Sequence, residues 1–197
     1  MGRRERKKAA TRKALADAAL KLFLERGYDQ VSIKDVADAA DVSTTTLFKH
    51  FSGKEALVFD EDAEMEAALV AAVRERPVGQ SVPAALRDHV LRVRIDAAAD
   101  PRFTPFIKLI EGTPALREHA HRIWMRHETA LAHAIAEDIG APEDDTTCAA
   151  LAHFALEAVN LARGQADPHH AVQRAFDLLE HGWQATAHHR TATTGTS

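Results

Sequence analysis

A single cysteine, Cys148, stands in a chain of 197 residues. That excludes an intramolecular disulfide and a cysteine-rich metal site, and a cytoplasmic location is expected. Aromatic residues make up only 6%, glycine and proline are few at nine and seven, and β-branched residues thin out after the first quarter. Little is left from which to build a sheet. Alanine, leucine, glutamate and arginine are plentiful, and the composition predicts an all-α protein. The longest apolar run, Ala67 to Val73, is too short to span a bilayer. The basic N-terminus is followed by no apolar run, so it does not read as a signal peptide.

The sequence also lacks catalytic signatures. It has no serine elbow, P-loop or dinucleotide fingerprint, and its twelve histidines contain no His-Glu-x-x-His. His119 and His121 are two apart and point to different faces of one helix. His169 and His170 are adjacent at a helix start, and His188 and His189 lie in a polar tail. No metal, cofactor or enzymatic activity is expected.

Charge is unevenly spread. Residues 1 to 54 carry twelve Lys or Arg against seven Asp or Glu, a net of +5, while the remainder nets −9. A basic head on an acidic body points to a nucleic-acid-binding module joined to a different one. Seven of the cations lie in GRRERKKAATRK, Gly2 to Lys13. This stretch reads as a disordered basic arm when free, able to follow phosphates or enter a minor groove when DNA is present.

The organising stretch is SIKDVADAADVSTTTLFKHFSGKEAL, Ser32 to Leu57. Ser32 with Asp35 forms a capping box, and Val31 with Val36 forms the matching hydrophobic staple. A second cap falls at Ser43, stapled by Val42 and Leu47, and a third at Ser52 with Glu55. Between the first two caps there is room only for a tight turn. Two short helices so joined make a helix-turn-helix, whose second helix enters the DNA major groove. That helix, about Thr44 to Phe51, shares an inward face at Leu47 and Phe51. Thr44, Thr45, Thr46, Phe48 and Lys49 remain outside. Threonine and lysine can bond to base edges or phosphate, and an aromatic can pack on thymine methyls. The bland alternative, a solvated threonine face, fits poorly with three mediocre helix formers in a row.

The segment VSTTTLFKHFSGKEAL resembles the DNA-binding domain of TetR-family transcriptional regulators, matching at Val42, Ser43, Leu47, His50, Phe51, Lys54, Glu55 and Leu57. The upstream ALKLFLERGYDQVSIKDVADAADVS also fits. Two positions depart from the family pattern. Asp41 replaces the turn glycine, although aspartate tolerates the left-handed conformation better than most residues. Phe48 replaces a tyrosine and lacks the hydroxyl that often reaches phosphate in the family. The resemblance implies DNA contact at Lys34, Ser43, Thr44, Thr45, Thr46, Phe48, Lys49, His50 and Lys54. Lys54 stands near a helix N-terminus, unfavourably for the dipole, and a bound phosphate would offset this.

The rest of the chain predicts helices over about 12–26, 52–76, 82–99, 103–112, 114–139, 144–163 and 169–187. With the two of the helix-turn-helix, that makes about nine. A three-helix DNA-binding domain over 1–53 is followed by a larger helical domain over 54–187 and a disordered tail over 188–197. The small residues of the last two helices, among them Ala158 and Ala175, suit close packing. The resemblance implies that this pair forms a four-helix bundle with a second copy, although the helix at 144–163 could simply be central within one chain. Val90, Val93, Phe103, Phe106, Ile110, Ile123, Trp124 and His127 occupy inward positions. They could fill a solid core; the resemblance implies an effector pocket lined by them, for a mainly apolar small molecule. The reading is a dimeric, sequence-specific DNA-binding regulator, a repressor released from a palindromic operator by that effector. The competing reading is a small helical enzyme or interaction module with an incidental basic head.

Overall fold

The computed structural model describes residues 2–95, 101 and 103–193. These residues form helices α1 Arg3–Arg26, α2 Ile33–Ala39, α3 Thr44–Phe48, α4 Lys54–Val58 and α5 Asp62–Arg74. Then come α6 Val82–Val90, continued by a π-helical segment Leu91–Ile95, and α7 Phe103–Gly112, α8 Pro114–Ile139, α9 Thr146–Ala162 and α10 Pro168–Thr193. No strand occurs among the described residues, so the protein is all-α as composition predicts.

The chain divides into two compact units: Met1–Ala63 with Pro101–Arg122, and Glu64–Asp100 with Ile123–Ser197. This differs from a cut at residue 53. Leu57 and Val58 of α4 are buried in the first unit's core beside Leu15, Ala19, Leu22 and Phe23 of α1, Val36 of α2, and Leu47. Leu116 of α8 belongs to the same core, and Phe106, Leu109 and Ile110 of α7 pack on it. The second unit has its own core, in which Leu69, Val73, Leu86, Val90, Leu131, Ile135, Ala152, Ala155 and Phe176 are all buried. Arg76 closes α5 against α8 there, its Nη2 donating to Asp138 Oδ2 at 2.7 Å while Nε donates to the Gln80 carbonyl at 2.8 Å.

Several boundaries differ from expectation for local physical reasons. The N-terminal arm is helical from Arg3, not disordered. Arginine, lysine, alanine and glutamate are all good helix formers, and the Gly2 backbone N–H donates to Glu5 Oε2 at 3.3 Å to start the turn. The expected helix over 52–76 is broken. Its N-cap is Gly53 instead of Ser52, and the chain turns over residues 59–61 before α5. Asp60 and Asp62 favour such breaks because their carboxylates compete for backbone donors. Residues 96–99 of the helix expected over 82–99 lie outside the described residues. The reading helix stops at Phe48, although the Phe51 amide still reaches the Leu47 carbonyl at 3.0 Å. Helix α10 runs on to Thr193, so the backbone is helical over part of the tail expected to be disordered. Alanine, histidine, arginine and threonine at 187–193 include no glycine or proline to stop it.

The turn that aims α3 is a Schellman motif. The Asp41 amide donates to the Asp38 carbonyl at 3.2 Å and the Val42 amide to the Ala37 carbonyl at 3.0 Å. Asp41 takes φ 52°, the left-handed conformation that a glycine usually supplies. A β-branched residue is a steric outlier there. Asp41→Val is therefore expected to cost about 1–2 kcal/mol, the left-handed penalty for an ordinary residue, whereas Asp41→Gly should stay within about 1 kcal/mol of the parent. Urea midpoints followed by helical circular dichroism check both.

Candidate nucleic-acid interface

Helix α3 stands on its caps and on two inward residues. The Ser43 hydroxyl accepts from the Thr46 amide at 3.1 Å and shares a hydrogen bond with the Thr46 hydroxyl at 2.9 Å. Upstream, the Ser32 hydroxyl accepts from the Asp35 amide at 3.1 Å and the Ser32 amide donates to Asp35 Oδ2 at 2.8 Å, completing the capping box. The Ser32 hydroxyl also donates to Asp35 Oδ2 at 2.5 Å, and this bond, with the one from the Ser32 amide, holds the Asp35 carboxyl below its ordinary range. Leu47 and Phe51 are 0% and 3% exposed. With that face committed, the opposite face is presented to solvent.

Thr44, Thr45 and Lys49 are exposed there, as are Ser43 at the cap and Lys34 on α2. Phe48 is 56% exposed. Thr46 is half-buried and turned toward Ser43. These seven supply hydroxyls, an aromatic ring and two ammonium groups on α2, on α3 and at its ends. The first turns of α1 add Arg3, Arg4, Arg6, Lys7 and Lys8, all exposed.

His50 and Lys54 are placed differently. The His50 ring is half-buried, and its Nδ1 is enclosed without a hydrogen-bond partner among the described residues. Burial, together with the charges of Lys8 and Arg12, holds its imidazole below the ordinary 6.5. Lys54 faces the core. Its Nζ donates to the Tyr28 carbonyl and lies 3.9 Å from the Tyr28 ring centroid. Burial lowers its pKa, and Asp29 and Glu55 act the other way. Lys54 is expected at phosphate, and in this structure its ammonium is engaged by Tyr28. The offset to its unfavourable place at a helix N-terminus comes from Tyr28 within the protein. The neighbouring Glu55 carboxylate accepts from its own amide and from the Tyr28 hydroxyl at 2.8 Å, which holds its carboxyl below the ordinary range. Burial and that carboxylate push the Tyr28 hydroxyl up.

Sequence reasoning missed Arg12. Its Nη1 donates to the His50 carbonyl at 2.7 Å, its Nη2 to the Asp60 carbonyl at 3.0 Å, and its Nε lies 2.7 Å from Asp60 Oδ1. Its guanidinium carbon sits 4.4 Å from the Phe51 ring centroid. A signal was present: Arg12 lies three residues before Leu15, on the inward stripe of α1.

The eight residues expected to line one pocket are divided between the two units. Phe106 and Ile110 pack on the first unit's core, and Phe103 is half-buried in that unit. They came from a contiguous apolar stripe whose unit could not be read locally. Val90, Val93, Trp124 and His127 do meet, in the second unit, around a cavity of about 30 Å³ completed by Met65, Ala68, Leu69, His89, Leu156 and Val159. Ile123 is half-buried and does not line it. His89 and His127 are two of the few polar residues buried in the protein, at 7% and 4% exposed. His127 Nε2 is 4.0 Å from Glu66 Oε2, which accepts from Arg126 Nε at 2.7 Å.

A capped helix pair with a buried scaffold face and an exposed hydroxyl, aromatic and cationic face defines a helix-turn-helix DNA-binding module. Comparison with known proteins agrees along most of the length. Residues 15–60 match the model described as bacterial regulatory proteins of the tetR family, and residues 64–184 match the MftR C-terminal domain. The chain is 32% identical over 151 residues to the HTH-type transcriptional regulator TcmR of Streptomyces glaucescens, covering 73% of this chain and 67% of TcmR. Its fold is similar to that of NalD, the secondary repressor of the MexAB-OprM multidrug efflux pump in Pseudomonas aeruginosa. There the TM-score is 0.57 and the identity 20%, over 86% of this chain and 96% of NalD. It is also similar to the SmeT–triclosan complex, with TM-score 0.58 and identity 18%, over 86% and 90% of the two chains. The chain belongs to the TetR family and is a DNA-binding transcriptional regulator. No helix among the described residues is long and apolar enough to cross a membrane.

The half-buried imidazole beside the reading helix has a pH consequence. A free histidine takes up a proton near 6.5, and His50 does so only at lower pH. Between those points the unfolded chain holds more protons than the folded one, so stability falls as pH drops through that window. The urea midpoint should decrease from pH 7.5 to 5.5, and His50→Gln should flatten that part of the decrease.

Proposed function

We propose that the protein is a repressor that binds a palindromic operator as a dimer through α9 and α10, and that a mainly apolar small molecule releases it. The observation that carries the dimer is apolar exposure on those two helices. Phe154 and Leu161, seven residues apart on one face of α9, are 55% and 63% exposed, and Leu178 on α10 is 75% exposed. Large apolar side chains gathered this way mark an interaction surface. A second copy related by a two-fold axis is the occupant that a palindrome requires, since each copy supplies one reading helix. Ala158, expected at this interface, is 1% exposed and part of the second unit's own core. A charge there would disturb folding as well, so Leu161 is the informative position. Ala175 packs against the same core.

The exposed faces of α2 and α3 are the reading surface, with Thr44, Thr45, Phe48 and Lys49 toward bases and Lys34 toward phosphate. Repression is supported by the role of NalD as a repressor, and an apolar effector by the SmeT–triclosan complex. The effector site is the cavity around Trp124, with His89 and His127 as hydrogen-bonding handles. At about 30 Å³ it has room for a water or two, so a ligand must part its walls. A ligand then shifts the DNA equilibrium only by its differential affinity for the two states, and a hundredfold release needs about 2.7 kcal/mol.

Leu161→Glu should convert the dimer to a monomer by sedimentation and weaken binding to a palindromic duplex at least tenfold while leaving the helical signal unchanged. A dimer unaffected by both Leu161→Glu and Phe154→Glu would contradict the interface. In a Trp183→Phe background, compounds that release DNA should change Trp124 fluorescence at the same concentrations. Release with Trp124 silent, and with potency retained in Trp124→Ala, would move the effector site elsewhere.

A further inference from the structure

We propose that Arg12 is a positioning residue for DNA recognition, which holds the reading helix at its working angle and is not offered to phosphate. The inference rests on α3 being the reading helix. Gly2 to Lys13 contains seven cations, and Arg3, Arg4, Arg6, Lys7 and Lys8 are exposed. Arg12 is drawn onto acceptors of other segments. Its three guanidinium nitrogens meet the His50 carbonyl at 2.7 Å, the Asp60 carbonyl at 3.0 Å and the Asp60 carboxylate at 2.7 Å.

Each acceptor has a meaning in the fold. The His50 carbonyl stands just past the end of α3, where a helix leaves carbonyls without intrahelical donors. Asp60 lies in the turn between α4 and α5. One planar group thus ties the first helix, the end of the reading helix and the start of the chain's path into α5. The Phe51 ring, 4.4 Å beneath the guanidinium carbon, fixes the plane of that group. Phe51 is itself one of the residues that seat the segment in the core. Arginine's fork imposes angles as well as charge, which a lysine ammonium cannot do. Helix α3 has only five residues, too few to set its own direction, and recognition needs its side chains held to within about 0.5 Å.

The test separates positioning from phosphate contact. The probe is a duplex that the full-length protein selects from a random pool, set against a scrambled duplex of the same composition. Arg12→Lys, which keeps the charge, and Asp60→Ala, which removes the carboxylate and leaves the two carbonyl acceptors, should each reduce affinity for the selected duplex, Arg12→Lys about tenfold and Asp60→Ala by a smaller factor. Each should reduce the selected-to-scrambled ratio by a similar factor and leave the salt slope unchanged. The double variant should be no worse than Arg12→Lys alone, because the Asp60 carboxylate acts through Arg12. A loss of about one unit of salt slope in Arg12→Ala with the ratio intact would make Arg12 a phosphate contact and overturn the proposal. So would parent-like binding in Arg12→Lys or in Asp60→Ala. Loss of the helical signal in both of these variants would assign Arg12 to folding alone and would likewise overturn it.

Discussion

The structure depends on the burial of Leu47 and Phe51. Helix α3 is five residues long, far below the length at which a helix persists alone in water. It exists because these two side chains are enclosed at 0% and 3% exposure among α1, α2 and α4. Each contributes about 1.5–3 kcal/mol by leaving water. The Ser43 cap and the Schellman turn at Asp41 decide where the helix begins and how it leaves α2. The exposed threonines, Phe48 and Lys49 are the other side of the same arrangement. Since residues four apart share a face, sealing Leu47 and Phe51 forces their neighbours outward.

Around this helix the cations have two uses. Arg3, Arg4, Arg6, Lys7, Lys8, Lys34 and Lys49 are exposed and supply a positive field toward a polyanion. Arg12 and Lys54 are spent inside the unit, one on backbone carbonyls and Asp60, the other on Tyr28. Burial costs a cation its hydration, so it is tolerated only against close acceptors and aromatic faces such as Phe51 and Tyr28. Counting charge in the head thus overstates what is available to DNA. The placement of each charge tells which effect a substitution has: long-range attraction for the exposed set, geometry for the inward pair.

What could be read in the sequence follows the range of the interactions involved. The Ser32 capping box, the Ser43 cap, the left-handed Asp41 and the Leu47–Phe51 face all involve residues within five positions of one another, and local chemistry identified them. The inward turn of Lys54 was hidden because its cause lies far away in the chain. Lys54 turns inward to meet Tyr28, and Arg12 gathers carbonyls 38 and 48 residues distant. The same holds for the pocket. An apolar stripe identifies an inward face but not which core receives it, so Phe106 and Ile110 were grouped with Trp124 and His127 although they pack in a different unit. The helical start of α1 at Arg3 was legible in propensity and obscured by its charge.

The central claim is that the exposed face of α3 reads a palindromic duplex through two major grooves. It is tested most directly by protection of guanine N7 from methylation on a duplex selected by the full-length protein. N7 lies in the major groove, and two-fold symmetric reading helices reach it twice on one face of the DNA. The account predicts two protected patches about ten base pairs apart or a multiple of it, both lost with Thr44→Ala/Lys49→Ala. A single patch, or two patches unchanged in that variant, would contradict it.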